Sequence, residues 1–280
     1  MRLNLDRAGK KVVLLTSLSF LAFLLFLRFS GFSTASVVNF YNHIIKSVIF
    51  SASTDTFNAL GMLLRPFAFV VMSLVFLTLA IAILAYFGSR KDVWRAGIIS
   101  GFIGALFAVV LFPTLAGVFL AIALLSCSYA SRFSGMYARE MKKWVNFRVG
   151  SSTAGKTLLI VNIIISLGVF SSILASQAQY ESSFKEELKE SVRTLALSLP
   201  GASSMSPEML DERVESTTAS LTGSKFFGAY ITWLPVSAAF TTWIILEFLR
   251  NLVFANLGGL FTYLMLKKRQ SYSAARKQPG

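Results

Sequence analysis

One octapeptide carries the letters of a phosphate cradle. Gly150, Ser151, Ser152, Thr153, Ala154, Gly155, Lys156 and Thr157 run glycine, four residues, glycine, lysine, threonine. At that spacing backbone N–H groups can wrap phosphate oxygens while the lysine reaches them, provided a strand enters the loop and a soluble helix leaves it. Here a basic amphipathic segment enters and an apolar run, Leu158 to Ser176, leaves. The stretch reads as a Gly/Ser-rich turn capping an apolar helix, and nucleotide binding at 150–157 is not expected.

A second candidate is ionic. Glu247 and Arg250 stand three residues apart inside an apolar run, so on a helix they share a face and can pair. Ionisable groups at membrane depth usually face a bundle interior or a water-filled path. With Asn251 and Asn256 the pair is therefore a candidate lining for a transport route, and the opposing reading sets it at the inner headgroups as a boundary pair. Other chemistry lacks its residues. A single His (His43) and a single Cys (Cys127) leave metal sites and nucleophilic triads without their members. Glu186, Glu187 and Glu190 are the nearest thing to paired carboxylates, and they are expected to be solvated. No cofactor and no enzymatic activity are expected.

Glycines form the third group. Gly97, Gly101 and Gly104, with Gly117 beyond, and Gly258 with Gly259 put small residues on helix faces, where membrane helices approach closely within a chain or between copies.

The elements that must position these residues follow from composition. Of 280 residues 55% are hydrophobic and 14% charged, 26 are Phe, and the mean hydropathy is +0.65. A soluble domain carries charge on about a quarter of its residues, so an aqueous globule, a disordered tail and a disulfide framework are excluded. The reading is an all-α polytopic integral membrane bundle with about six crossings, each needing about 20 apolar residues. The net charge of +14 is explained by position. Basic residues gather in blocks at Arg2 to Lys11, Arg90 to Arg95, Arg132 to Lys156 and Lys267 to Lys277, where they hold loops on the cytoplasmic side and meet anionic headgroups. A nucleic-acid partner is not expected.

Along the chain, Val12 to Leu27 reads as a retained first span, and 37–50 as an outer amphipathic helix. Asp55 begins a short helix expected to end at Arg65, because Pro66 disfavours helix in the residue before it. Phe67 to Phe87 is a span. The uncharged stretch Ala96 to Ser131 contains Pro113 and reads as a tight hairpin of two short spans. Residues 133–147 form an inner basic amphipathic helix, whose Arg139, Lys142, Lys143 and Trp144 are candidate contacts for lipid or a protein partner. Thr157 to Ser176 is a further span.

Residues 177–225 form an external acidic two-helix cap. Its first helix opens on a capping box at Ser183 and Glu186, carries the stripe Phe184, Leu188, Val192, Leu195 and Leu199, and breaks at Pro200 and Gly201. Its second opens on Ser206 and Pro207 and closes at Gly223. Residues 226–266 form the final membrane segment, with one net crossing and part of its length along an interface, and 267–280 a basic cytoplasmic tail. The domains are thus 1–176 and 226–266 in the membrane, 177–225 outside, and both termini cytoplasmic in the cell membrane. The function implied is a non-enzymatic structural or accessory component of a membrane assembly, whose cap and inner helix are partner surfaces; the alternative is a channel or transporter past Glu247 and Arg250.

Orientation is testable on intact cells with single cysteines at positions 92, 113, 140, 188 and 272. An impermeant thiol reagent should leave position 140 untouched; labelling at 140 would invert the map.

Overall fold

The computed structural model describes residues 6–31, 33–50, 55–87, 93–140, 145–198 and 206–275, and every element among them is helical. The chain falls into two compact units: Met1–Phe32, Gly61–Gly168 and Thr241–Gly280 in the first, Ser33–Leu60 and Val169–Phe240 in the second. Six helical segments are long and apolar enough to cross a membrane.

In the first unit α1 (Arg7–Phe29) starts where the Asp6 carboxylate accepts the Gly9 amide at 2.6 Å, satisfying one of the amides a helix start leaves open. It packs on α4 (Val93–Leu111), because Gly104 leaves room for the ring of the fully buried Phe20. At the far end Arg28 donates to the Leu111 carbonyl, so a cation closes the C-terminus of α4. The helix α3 (Asp55–Phe87) contributes Leu77, Ile81 and Leu84 to the same core.

Pro113 does reverse the chain. After α4, residues 112–114 break the helix and the Thr114 hydroxyl accepts the Gly117 amide at 3.3 Å, opening α5 (Leu115–Ser126). The second arm returns along the first, with Gly101 against Leu125 and Gly97 against the Ser128 carbonyl. It continues through a 3-10 turn at Cys127–Tyr129 into α6 (Ala130–Glu140). The Ser134 hydroxyl donates to the Ala85 carbonyl at 2.6 Å, and the Arg132 guanidinium lies 3.7 Å over the Trp94 ring. The end of α3, the start of α4 and the first half of α6 therefore meet at one basic, aromatic end of the unit.

The first unit also holds most of α7 (Val145–Ala175) and all of α11 (Ala255–Ala275). In the second, α2 (Thr34–Phe50) packs with α8 (Gln177–Ser198), α9 (Pro207–Thr222) and the first part of α10 (Lys225–Leu249). Phe184, Leu188, Phe227 and Ile231 form a small core, in which the Phe184 and Phe227 rings stack at 5.8 Å. Polar ties border it: Tyr230 donates to the Asn42 side chain at 2.7 Å, Gln177 to the Ile231 carbonyl at 3.0 Å, and Lys46 pairs with Glu187 at 2.7 Å. Arg193 meets Asp211 at 3.3 Å between α8 and α9.

Several expectations are corrected. The helix does not end at Arg65: α3 runs through Pro66, whose missing amide removes one hydrogen bond from a ladder kept by the residues on either side. Ser183 lies inside α8, which already begins at Gln177, so it caps nothing. Leu195 is exposed rather than part of the buried stripe, while Leu199, Pro200 and Gly201 lie outside the described residues. Of the inner basic helix expected over 133–147, residues 133–140 lie in α6 and 145–147 in α7, while 141–144 lie outside the described residues. Ser206 caps α9 by accepting the Met209 amide at 3.3 Å, with Pro207 in its first turn and Gly223 at its end.

Glycine substitutions should separate contact from open space. A Cβ at Gly117 would fall 1.8 Å from the Phe112 carbonyl oxygen, whereas one at Gly228 meets nothing within 4 Å. Gly117→Ala should lower stability by at least about 1–3 kcal/mol, the usual cost of overpacking, and Gly228→Ala should not; thermal unfolding in detergent measures both.

Candidate functional site

The longest apolar segment is also where the ionic candidate sits. The helix continues from α10 through a π-helical turn at Arg250–Phe254 into α11, and the 43 residues Lys225–Lys267 include a stretch long and apolar enough to cross a membrane. Neither interface path expected for 226–266 appears as a break, since Pro235 stays inside α10. In the π turn the Ala255 amide bonds back to the Arg250 carbonyl, one residue further than in an α-helix. Such single wide turns recur at functional sites.

Around it the polar groups converge. Arg250 donates through Nη2 to Glu247 Oε1 and to Asn251 Oδ1 at 2.9 Å, and through Nη1 to the Gly155 carbonyl of α7 at 2.9 Å. Glu247 also accepts from Asn251 at 3.4 Å and, on its other oxygen, from Asn162 of α7 at 3.5 Å. The side chains of Arg250 and Glu247 are 16% and 19% exposed, and Asn162 only 2%. One cation and one anion cancel, so the cluster adds no net charge to an apolar setting where an unpaired charge is costly. Arg250 Nε is buried without a hydrogen-bond partner among the described residues.

Asn162 and the Gly155 carbonyl are the members that the spacing of Glu247 and Arg250 does not reveal. An asparagine inside the run Thr157 to Ser176 was the available signal for the first; a backbone carbonyl leaves none. Asn256 is not brought into the cluster: it is exposed, and its amide donates to the Leu252 carbonyl at 3.4 Å.

The phosphate-cradle letters receive a different explanation. Residues 150–157 lie within α7, so they form no turn, and their amides sit inside a helical ladder. Their small residues face α11. A Cβ on Gly150 would lie 2.5 Å from Thr262 Oγ1, one on Gly258 2.4 Å from the Ala154 Cβ, and one on Gly259 2.9 Å from Phe147. The two backbones thus approach as closely as small residues permit. Thr153 and Thr157 are buried on α7 with hydroxyls that have no partner among the described residues, and Lys156 is exposed.

Of the other candidates, Gly97, Gly101 and Gly104 line the contacts already given, and Arg139 is exposed on α6. Lys142, Lys143 and Trp144 lie outside the described residues. Cys127 is buried, its thiol directed at the Ala123 carbonyl at 3.5 Å. Among the described residues no three His, Cys, Asp or Glu side chains gather as a metal cluster. Comparison with protein-family models, curated proteins and solved structures finds no match.

The chemistry open to this arrangement is mutual neutralisation within one helix, tied to α7 by the Asn162 and Gly155 hydrogen bonds. Removing one partner leaves a charge without its counterion, so Arg250→Leu should cost about 3–5 kcal/mol, and adding Glu247→Leu should recover most of it. Thermal unfolding of the two single variants and the double variant gives the coupling. A double variant no more stable than Arg250→Leu would show that the pair is not a strut.

Proposed function

We propose that this chain is a multi-pass integral membrane protein and a non-enzymatic structural or accessory component of a membrane assembly, with its basic end cytoplasmic and the α8–α9 cap outside. Six apolar helices and large apolar side chains exposed on α1, α4, α5, α7, α10 and α11 support the membrane part of the reading. The exposed stretch of the continuous α10–α11 helix carries the assembly part. Large apolar side chains stay exposed along it from Phe226 to Leu264, about 57 Å of helix at 1.5 Å per residue. A bilayer has about 30 Å of hydrocarbon, and even a helix tilted by 40° crosses it in about 39 Å.

The surplus needs another cover. A helix lying in the interface keeps a charged face toward water, but no charged residue occurs from Phe226 to Leu246. A protein partner supplies the missing apolar contact. On the cap, Leu195 and Leu197 of α8 and Met209 of α9 are also exposed.

The competing reading, a channel or transporter past Glu247 and Arg250, draws on one observation: Asn251 is exposed beside a pair that is itself not fully enclosed. One experiment addresses both. A photo-crosslinking residue replacing Trp233 or Phe240, irradiated in intact membranes, should give an adduct with one protein in stoichiometric yield, and the same protein should co-purify in gentle detergent. Lipid adducts alone, together with solute movement by the isolated chain in vesicles, would favour transport and overturn the assembly reading.

A further inference from the structure

A groove of about 620 Å³ opens on the first unit between α1, α3 and α11. Its walls are mostly hydrocarbon: Leu15, Leu18 and Ala22 come from α1, Phe76 and Tyr86 mark the two ends of the α3 wall, and Met265 adds α11. Ser19, also on the α1 wall, donates its hydroxyl to the Leu15 carbonyl at 2.9 Å, leaving little there to attract water.

Length and charge identify an occupant. From Phe76 to Phe87 the α3 wall extends about 16 Å, close to the ~15 Å of one leaflet of hydrocarbon. Lys11 precedes Leu15, Leu18 and Ala22 at i, i+4, i+7 and i+11, so the stripe lining the groove begins on an ammonium, and Arg7 stands one turn before it. Both are exposed, and neither enters an ion pair among the described residues. Tyr86 lies toward the same end, an amphipathic ring of the kind that settles at headgroup depth.

We propose that the groove holds one acyl chain of an anionic glycerophospholipid from the leaflet at the basic end of this unit, with the lipid phosphate against Lys11 and Arg7. The assignment rests on the membrane reading above but not on the existence of a protein partner. The chain is held by apolar contact along α1 and α3, and the headgroup by charge in the interfacial layer, where each Lys or Arg strengthens binding to anionic lipid.

The test uses the full-length chain in mild detergent, exchanged into mixed micelles of phosphatidylglycerol and phosphatidylcholine and read by native mass spectrometry. One phospholipid per chain should remain, with phosphatidylglycerol favoured about tenfold, and Lys11→Glu should abolish that preference. Ala22→Trp, which fills the groove, should release the lipid. A photo-crosslinking residue in place of Leu18 provides a reading independent of whether Ala22→Trp folds, and its adduct should carry a phospholipid mass. Undiminished retention by folded Ala22→Trp, no headgroup preference, or a protein adduct at Leu18 overturns the proposal. Release of the chain from membranes by alkaline washing would instead overturn the membrane reading, a result distinct from an integral chain that lacks the lipid.

Discussion

In the membrane setting proposed for this chain, a backbone clothed largely in apolar side chains must bond its own peptide groups, because hydrocarbon offers no donors or acceptors to replace water. Helices meet that requirement residue by residue, and the described chain uses nothing else. Some of the small polar side chains follow the same rule. Thr78, Ser100 and Thr262 are buried and return their hydroxyls to carbonyls one turn back on their own helices. Even the two prolines inside helices, Pro66 and Pro235, are accommodated without ending them.

Once every helix is self-sufficient in hydrogen bonds, what joins helices is contact. Gly104 receives Phe20, Gly168 lies against Phe119, and Gly150, Ala154 and Gly258 let α7 and α11 meet almost backbone to backbone. Close approach gives dispersion contacts where apolar surroundings offer little hydrophobic drive. Onto this seam the protein adds one ionic cluster, Glu247 with Arg250, anchored on α7 by Asn162 and the Gly155 carbonyl. Its value lies in pairing: together the charges are tolerable, and apart they are not.

The helical segment from α10 to α11 poses the opposite problem, too much apolar length for one solvent. Sixteen residues lie between Arg250 and Lys267 and twenty-four between Lys225 and Arg250, so the ionic cluster divides two apolar lengths that a single upright crossing cannot contain together. This mismatch, and not any reactive constellation, is the feature that joins the fold to the proposed role in an assembly.

Patterns that act within one or two helical turns could be read from the chain alone. The reversal at Pro113 and Thr114, the Ser206 and Pro207 start of α9, the buried Phe184, Leu188 and Val192 stripe, and the pairing of Glu247 with Arg250 all depend on neighbours a few residues away. Tertiary structure decided the rest. Whether Pro66 ends a helix depends on what the flanking turns gain by continuing, and no local pattern contains that. Asn162 and Gly155 reach the ionic pair from 85 and 95 residues away. The spacing Gly150, Gly155, Lys156 is equally good as a phosphate loop and as the small face of a helix, and only α11 lying against it selects the second, because a glycine acquires its meaning from the atoms that occupy the space its missing side chain leaves.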